Sequence, residues 1–264
     1  MKLTRFISLH KRPVMVVLMI IIAICSYFLF YKFLGFPIWS LFIIYFVTIF
    51  FVYALVVNNT FRIFTKPIAE LNNKCDPYPL IEEGEKHLKA FSPLFQKCWI
   101  LINYAVALHS VGQCEKALEV MLSINIEDEK LKNVTLYKCA YYVRLANICT
   151  DLDKKTEADF AYSKFLSLMT ELKREKEKKM IEKDAISGKA MDALRKGDYP
   201  LIIETLENYV CDTLSSKVNI AMLYGVAYHA MGETDKAKEK FEFVIENGNK
   251  LHCVAEAREM LANL

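Results

Sequence analysis

Two uninterrupted apolar stretches near the N-terminus constrain this chain more than any other feature. Residues 14–30 read VMVVLMIIIAICSYFLF without a charge, and residues 38–57 read IWSLFIIYFVTIFFVYALVV. Each run is about 20 residues, which at ~1.5 Å per residue matches a ~30 Å hydrocarbon core. Gly35-Phe36-Pro37 separates them, so the expectation is a transmembrane hairpin over 14–34 and 38–57. Trp39, Tyr27, Tyr31 and Tyr53 stand where aromatic belts form. Lys2, Arg5, Lys11 and Arg12 precede the first run, Arg62 and Lys66 follow the second, and only Lys32 lies near the turn. The positive-inside rule then puts both termini in the cytoplasm of a multi-pass cell-membrane protein, with residues 14–57 against the lipid bilayer. The first run exceeds a signal-peptide core and lacks a small-residue cleavage site. Neither run holds Asp, Glu, Arg or His, which argues against a transporter or proton relay.

Charge divides the chain at the same place. Residues 1–57 carry five basic and no acidic residues, leaving 29 of the 34 basic and all 31 acidic residues to 58–264. A remainder of mixed sign and slightly negative net charge shows no footprint for nucleic acid. Eight cysteines form no CxxC pair, and several fall on apolar helix faces. They read as reduced, buried thiols in a reducing compartment, with a metal or redox role as the alternative. The run ELKREKEKKMIEK over 171–183 spaces Glu175 with Lys179 and Glu171 with Arg174 as in a solvated helix.

Beyond the apolar runs the pattern is helical throughout. Asn58-Asn59, Lys66-Pro67 and Asp76-Pro77-Tyr78-Pro79 punctuate a connector over 58–92 that holds one short helix, Leu80–Ala90. A helix is expected from Pro93 to Val111. The clearest unit is AMLYGVAYHAMG over 221–232 followed by ETDKAKEKFEFVIENG over 233–248. Gly225 and Ala237 are small where the two helices of such a hairpin cross, and Tyr228 and Phe241 are placed to fill the adjacent space. Gly232 suits a left-handed helix end.

The set Tyr224, Gly225, Ala227, Tyr228, Gly232, Ala237 and Phe241 resembles the tetratricopeptide repeat. Weaker copies lie upstream. One holds Tyr104, Ala105, Ala107, Leu108, Gly112, Ala117 and Met121. Another holds Tyr142, Leu145, Ala146, Cys149, Ala158 and Tyr162, with Asp153 in place of the turn glycine. A third holds Ala190, Ala193, Gly197 and Leu206, with Ile202 in place of the small crossing residue. The turn positions 112, 153, 197 and 232 are 41, 44 and 35 residues apart, against about 34 in the family. Leu251–Leu264 reads as a capping helix. The expected architecture is all-α: a basic N-terminus over 1–13, the transmembrane hairpin, the connector, and an α-solenoid of about four helix-turn-helix repeats over 93–264.

The resemblance implies a concave groove that takes a protein or peptide. Its lining would be Trp99, Ile102, Val106 and His109, then Ala140, Val143, Asn147 and Thr150, then Asn219, Met222, Val226 and His229. Paired Lys and Arg residues that would clamp a carboxylate terminus are missing from that set, whereas Met and Val suit an amphipathic helix. No GxxxxGK[ST] or GxGxxG occurs, and no HxxxH pairing surrounds His109 or His229. No Ser–His–Asp grouping can be argued from spacing. The expected function is therefore a membrane-anchored, non-enzymatic adaptor with no cofactor, metal or small-molecule substrate. A sensor or regulatory subunit coupling the helices to a membrane complex, a self-associating scaffold and an enzyme are the alternatives.

Overall fold

The computed structural model describes residues 10–35, 38–88, 90, 94–128 and 135–264. Among these the chain is all-helical, with helices packed in neighbouring pairs. The order is α1 (Lys11–Ser26), a π-helical segment (Tyr27–Phe33), α2 (Ile38–Lys74), α3 (Tyr78–Leu88), α4 (Leu94–Ser110), α5 (Cys114–Leu122) and α6 (Thr135–Asp151). It continues with α7 (Lys155–Glu171), α8 (Glu175–Lys196), α9 (Tyr199–Leu206), α10 (Leu214–Ala230), α11 (Thr234–Asn247) and α12 (Cys253–Ala262).

Two N-terminal expectations are corrected. The first apolar run is not one long α-helix. Its α-helical part is the 16 residues of α1, ~24 Å at ~1.5 Å per residue, before the chain widens into π turns. The second run has no boundary at Val57. It is the opening of a 37-residue helix whose later half carries Arg62, Lys66, Glu70 and Lys74 and docks on the helices that follow. Among the described residues no helix is long and apolar enough to cross a membrane. The transmembrane hairpin over 14–34 and 38–57 and the multi-pass placement with cytoplasmic termini are therefore not upheld. Residues 1–9 of the expected basic tail, residues 36 and 37 of the expected turn and Pro93 lie outside the described residues.

The connector is corrected too. Asn58-Asn59 and Pro67 sit inside α2 rather than ending it. A proline in a helix interior costs ~3 kcal/mol, and burial of Phe64 (0 % exposed) and Leu71 offsets it. The chain turns only after Lys74, at Cys75, whose φ of 52° is left-handed. Thus α2 packs on α3, and α3 packs on α4. The charged run at 171–183 is also divided. Leu172 is buried between α7 and α8, and the ion pairs formed there include Lys178–Glu175 (3.5 Å) and Arg174–Glu177 (3.7 Å).

The four turns read from the sequence share one geometry. At 112, 153, 197 and 232 the residue has positive φ: Gly112 79°, Asp153 54°, Gly197 72° and Gly232 76°. Its N–H donates to the carbonyl three residues back, and the next N–H donates to the carbonyl five back: Gly112 to His109 and Gln113 to Leu108, Gly232 to His229 and Glu233 to Tyr228. Asp153 and Lys154, and Gly197 and Asp198, repeat the pattern. This is the Schellman ending, which satisfies orphan carbonyls at a helix C-terminus. Seven residues before each turn stands a small buried residue, Ala105, Ala146, Ala190 or Gly225; five after it stands Ala117, Ala158, Ile202 or Ala237, each 0 % exposed. The long first interval comes from the segment after α5, and the second from the 17-residue α7 and 22-residue α8. Among the described residues, Asp and Thr side chains cap helix starts, as they commonly do. Asp198 Oδ1 accepts from Leu201 N–H (3.2 Å), and Thr213 Oγ1 accepts from Ser216 N–H (3.2 Å).

Crossing distances explain the small residues. A Cβ on Gly225 would stand 2.5 Å from the Phe241 ring, and one on Gly84 2.5 Å from Tyr104. Both rings are buried. The last helix, α12, covers the end of α11 with Val254 and Ala257.

Candidate functional site

Four residues of the inner face expected from the repeats, Trp99, Val106, Met222 and Val226, pack against the chain's own α2. Trp99 stands edge-on to Phe61 (4.9 Å between ring centroids) and Phe64 (5.4 Å) of that helix. Val106 of α4 and Met222 and Val226 of α10 are half-buried in the apolar cluster that holds Phe64, Leu71 and Cys75. The second half of α2 therefore lies where α4 and α10 present the predicted groove. Its apolar residues Ile63, Phe64, Ile68 and Leu71 recur at helical spacing and so supply one continuous face.

The C-terminal turn secures this arrangement. His252 N–H donates to Ser110 O (2.8 Å) and Lys250 N–H to Cys75 O (3.2 Å). Asn249 Nδ2 donates to Lys74 O (2.7 Å), and the Lys250 ammonium pairs with Asp76 (2.7 Å). A Cβ on Gly112 would lie 2.6 Å from the His252 ring, so the first repeat turn touches the turn that leads into α12.

Other expected groove residues have different places. Ile102 and Val143 belong to the core of the first two repeats rather than to an open face, at 7 % and 0 % exposure. Asn147 and His229 are half-buried, and Asn219 is exposed. Ala140 is half-buried on α6. Thr150 Oγ1 donates to Ala146 O (2.9 Å) and accepts from Arg195 Nη1 (3.4 Å). Arg195 is nearly buried and also donates to Asp159 Oδ1 (2.6 Å) and to Asp192. Arg195 thus links α8 to Thr150 of α6 and Asp159 of α7.

His109 does not line a groove passively. Its Nε2 lies 2.5 Å from Asp151 Oδ2 at the end of α6, and the Cys114 sulfur at the start of α5 lies within 4.8 Å of an imidazole nitrogen. Burial alone would lower the imidazole, but the bond to Asp151 and the neighbouring Cys114 outweigh it and raise His109 to about 9. At neutral pH the ring is an imidazolium held between a carboxylate and a sulfur. The sequence puts His109 three residues before Gly112 and gives no sign of either neighbour. Cys114 is five residues on, across a glycine turn; Asp151 is 42 residues away and meets His109 only because α6 stacks on the first hairpin.

The eight cysteines are free thiols. Burial pushes Cys75 and Cys139 up to about 11 and Cys253 to about 12, so these are inert packing groups. A shallow depression lined by Tyr78, Pro79, Glu82, Glu85 and Lys250 lies at the α2–α3 corner, open to solvent and without a nucleophile. The N-terminal helices, by contrast, expose large apolar side chains: Phe42 and Phe50 are 71 % and Phe46 77 % exposed, beside Val16, Ile20 and Phe28. Comparison with known proteins finds no matching family model, no matching curated protein and no matching solved structure.

Proposed function

We propose that this chain is a protein-binding adaptor built on tetratricopeptide-like hairpins, whose inner face recognises an amphipathic helix. The observation that carries this reading is the seating of α2 on that face, with Trp99, Val106, Met222 and Val226 closing on Phe64 and its neighbours. A surface that accepts one apolar helical stripe is complementary to another of the same spacing. The four equivalent turns and small-residue crossings support the tetratricopeptide assignment.

The test places a photo-crosslinking amino acid at inner-face positions Asn147 and Asn219 and at outer-face positions Leu122 and Phe160 of the full chain in cells. The adaptor reading expects crosslinks from the inner positions to a defined helical segment of another protein. Crosslinks confined to the outer positions would overturn it.

A second reading, a regulatory subunit, is favoured by the continuity of α2. One helix runs from an exposed apolar half into the packed array. A protein that covers Phe42, Phe46 and Phe50 would therefore act on the inner face through a rigid lever. Full-chain Phe46→Glu distinguishes the two. Loss of partner capture with this variant supports the lever; retained capture supports the inner face.

A further inference from the structure

Where the first two repeat turns meet, three side chains of different ligand chemistry converge. His109 lies in the last turn of α4, Cys114 opens α5 on the other side of Gly112, and Asp151 ends α6. An imidazole nitrogen, the thiol sulfur and a carboxylate oxygen all lie within 4.8 Å of one another. The site is neither sealed nor open: His109 and Cys114 are half-buried and Asp151 is exposed.

The donors decide the class of ion. Calcium and magnesium take oxygen ligands, six or more of them, whereas a nitrogen–sulfur–oxygen set of three suits zinc. Zinc bonds of about 2.0–2.3 Å at tetrahedral angles place ligand atoms about 3.4–3.6 Å apart. His109 Nε2 and Asp151 Oδ2, now at 2.5 Å, would open by about 1 Å, and an edge at the 4.8 Å limit would contract by about 1 Å. Side-chain rotation supplies changes of that size without moving the helices.

We propose that His109, Cys114 and Asp151 form a binding site for one zinc-class divalent cation, with the fourth position left to water. The ion replaces the proton that His109 shares with Asp151, and Cys114 binds as thiolate, releasing its own proton to solvent. It ties the α4–α5 turn to the end of α6, at the rim of the inner face beside the contact between Gly112 and His252. The site is independent of the adaptor reading, since it needs only the stacking of the first two repeats.

Cobalt(II) and zinc(II) titrations of the full chain in reducing buffer test this. The expected result is uptake of one equivalent per chain, with a thiolate-to-cobalt charge-transfer band and tetrahedral visible absorption, displaced by zinc. Cys114→Ser removes the charge-transfer band, and His109→Ala or Asp151→Asn weakens binding by more than about tenfold. Far-UV circular dichroism shows that each variant is folded. Absence of stoichiometric uptake by the wild-type chain overturns the proposal. So does undiminished uptake by a His109→Ala/Cys114→Ser double variant, because the metal is then held by other thiols.

Discussion

Gly225→Ala is the sharpest test of how the repeats pack. The new methyl would stand 2.5 Å from Phe241 Cε1 and 2.7 Å from Cδ1. Ordinary carbon contacts begin at about 3.5 Å, so the ring has to retreat by about 1 Å. Phe241 is 0 % exposed, so it has no solvent to move into. Overpacking of this kind costs ~1–3 kcal/mol, and the upper half applies because a buried ring, not a flexible tip, must move. Against it stands the gain of ~1 kcal/mol from alanine over glycine in a helix interior. The net expectation is a loss of about 1–2 kcal/mol. Urea unfolding of the full chain followed by far-UV circular dichroism reads it as a lower midpoint. In a Phe241→Leu background the clash is gone, and the same change should stabilise by about 0.5–1 kcal/mol. Gly188→Ala is the control: its methyl meets Val143 and Tyr162 at 3.0 and 3.1 Å, a conflict of a few tenths of an ångström, and it should be near neutral. A stabilised Gly225→Ala single variant would refute the close crossing.

Two further outcomes are expected. His109 is raised to about 9 from its ordinary 6.5, so the stability it contributes is complete below pH 6.5 and is lost as pH rises through 9. The full shift would be worth ~3 kcal/mol. Its partner Asp151 is 41 % exposed. Solvent screening at that carboxylate cuts the contribution to about 1–2 kcal/mol. With chelator present, the urea midpoint of the wild type should fall between pH 6.5 and 9 by more than that of Asp151→Asn, and parallel curves would contradict the pairing. Asp153 holds a left-handed φ of 54°. Glycine adopts that conformation more readily, so Asp153→Gly should raise stability by about 0.5 kcal/mol. The ion pair of Asp153 with Lys155 is exposed and worth little. A destabilised variant would show that the aspartate side chain, not the backbone, holds that turn.

What was legible in the sequence was what local chemistry decides. Gly112, Gly197 and Gly232 end helices because only glycine takes that conformation without cost, and even Asp153 was readable as the fourth member from the spacing of Ala146 and Ala158. Ala237 and Gly225 were readable as crossing residues because hairpins need small groups at fixed positions. The course of α2 was not. Asn58-Asn59 and Pro67 are genuine local breakers, and what overrides them is burial of Phe64 and Leu71 against residues as distant as Ala221 and Leu251. The two apolar runs misled for a related reason: hydropathy read the length of each stretch, whereas the structure divides the first at Ser26 and carries the second on to Lys74. Repeat position alone puts Ile102 and Val143 in the groove, but α4 and α6 turn those side chains into the core they share. The convergence of Asp151 with His109 and Cys114 has no sequence signal, because stacking alone creates it.

The central claim is that the array holds its own α2 on its inner face, with its two ends joined by the turn at 249–252. Native-state amide hydrogen exchange at His252 and Lys250 tests this most directly. In the structure their N–H groups bond to Ser110 O at 2.8 Å and Cys75 O at 3.2 Å, acceptors that an open-ended array would not offer. Both amides should therefore be as protected as the interiors of α10 and α11. Exchange at the rate of an exposed loop, while those helices stay protected, would contradict the account.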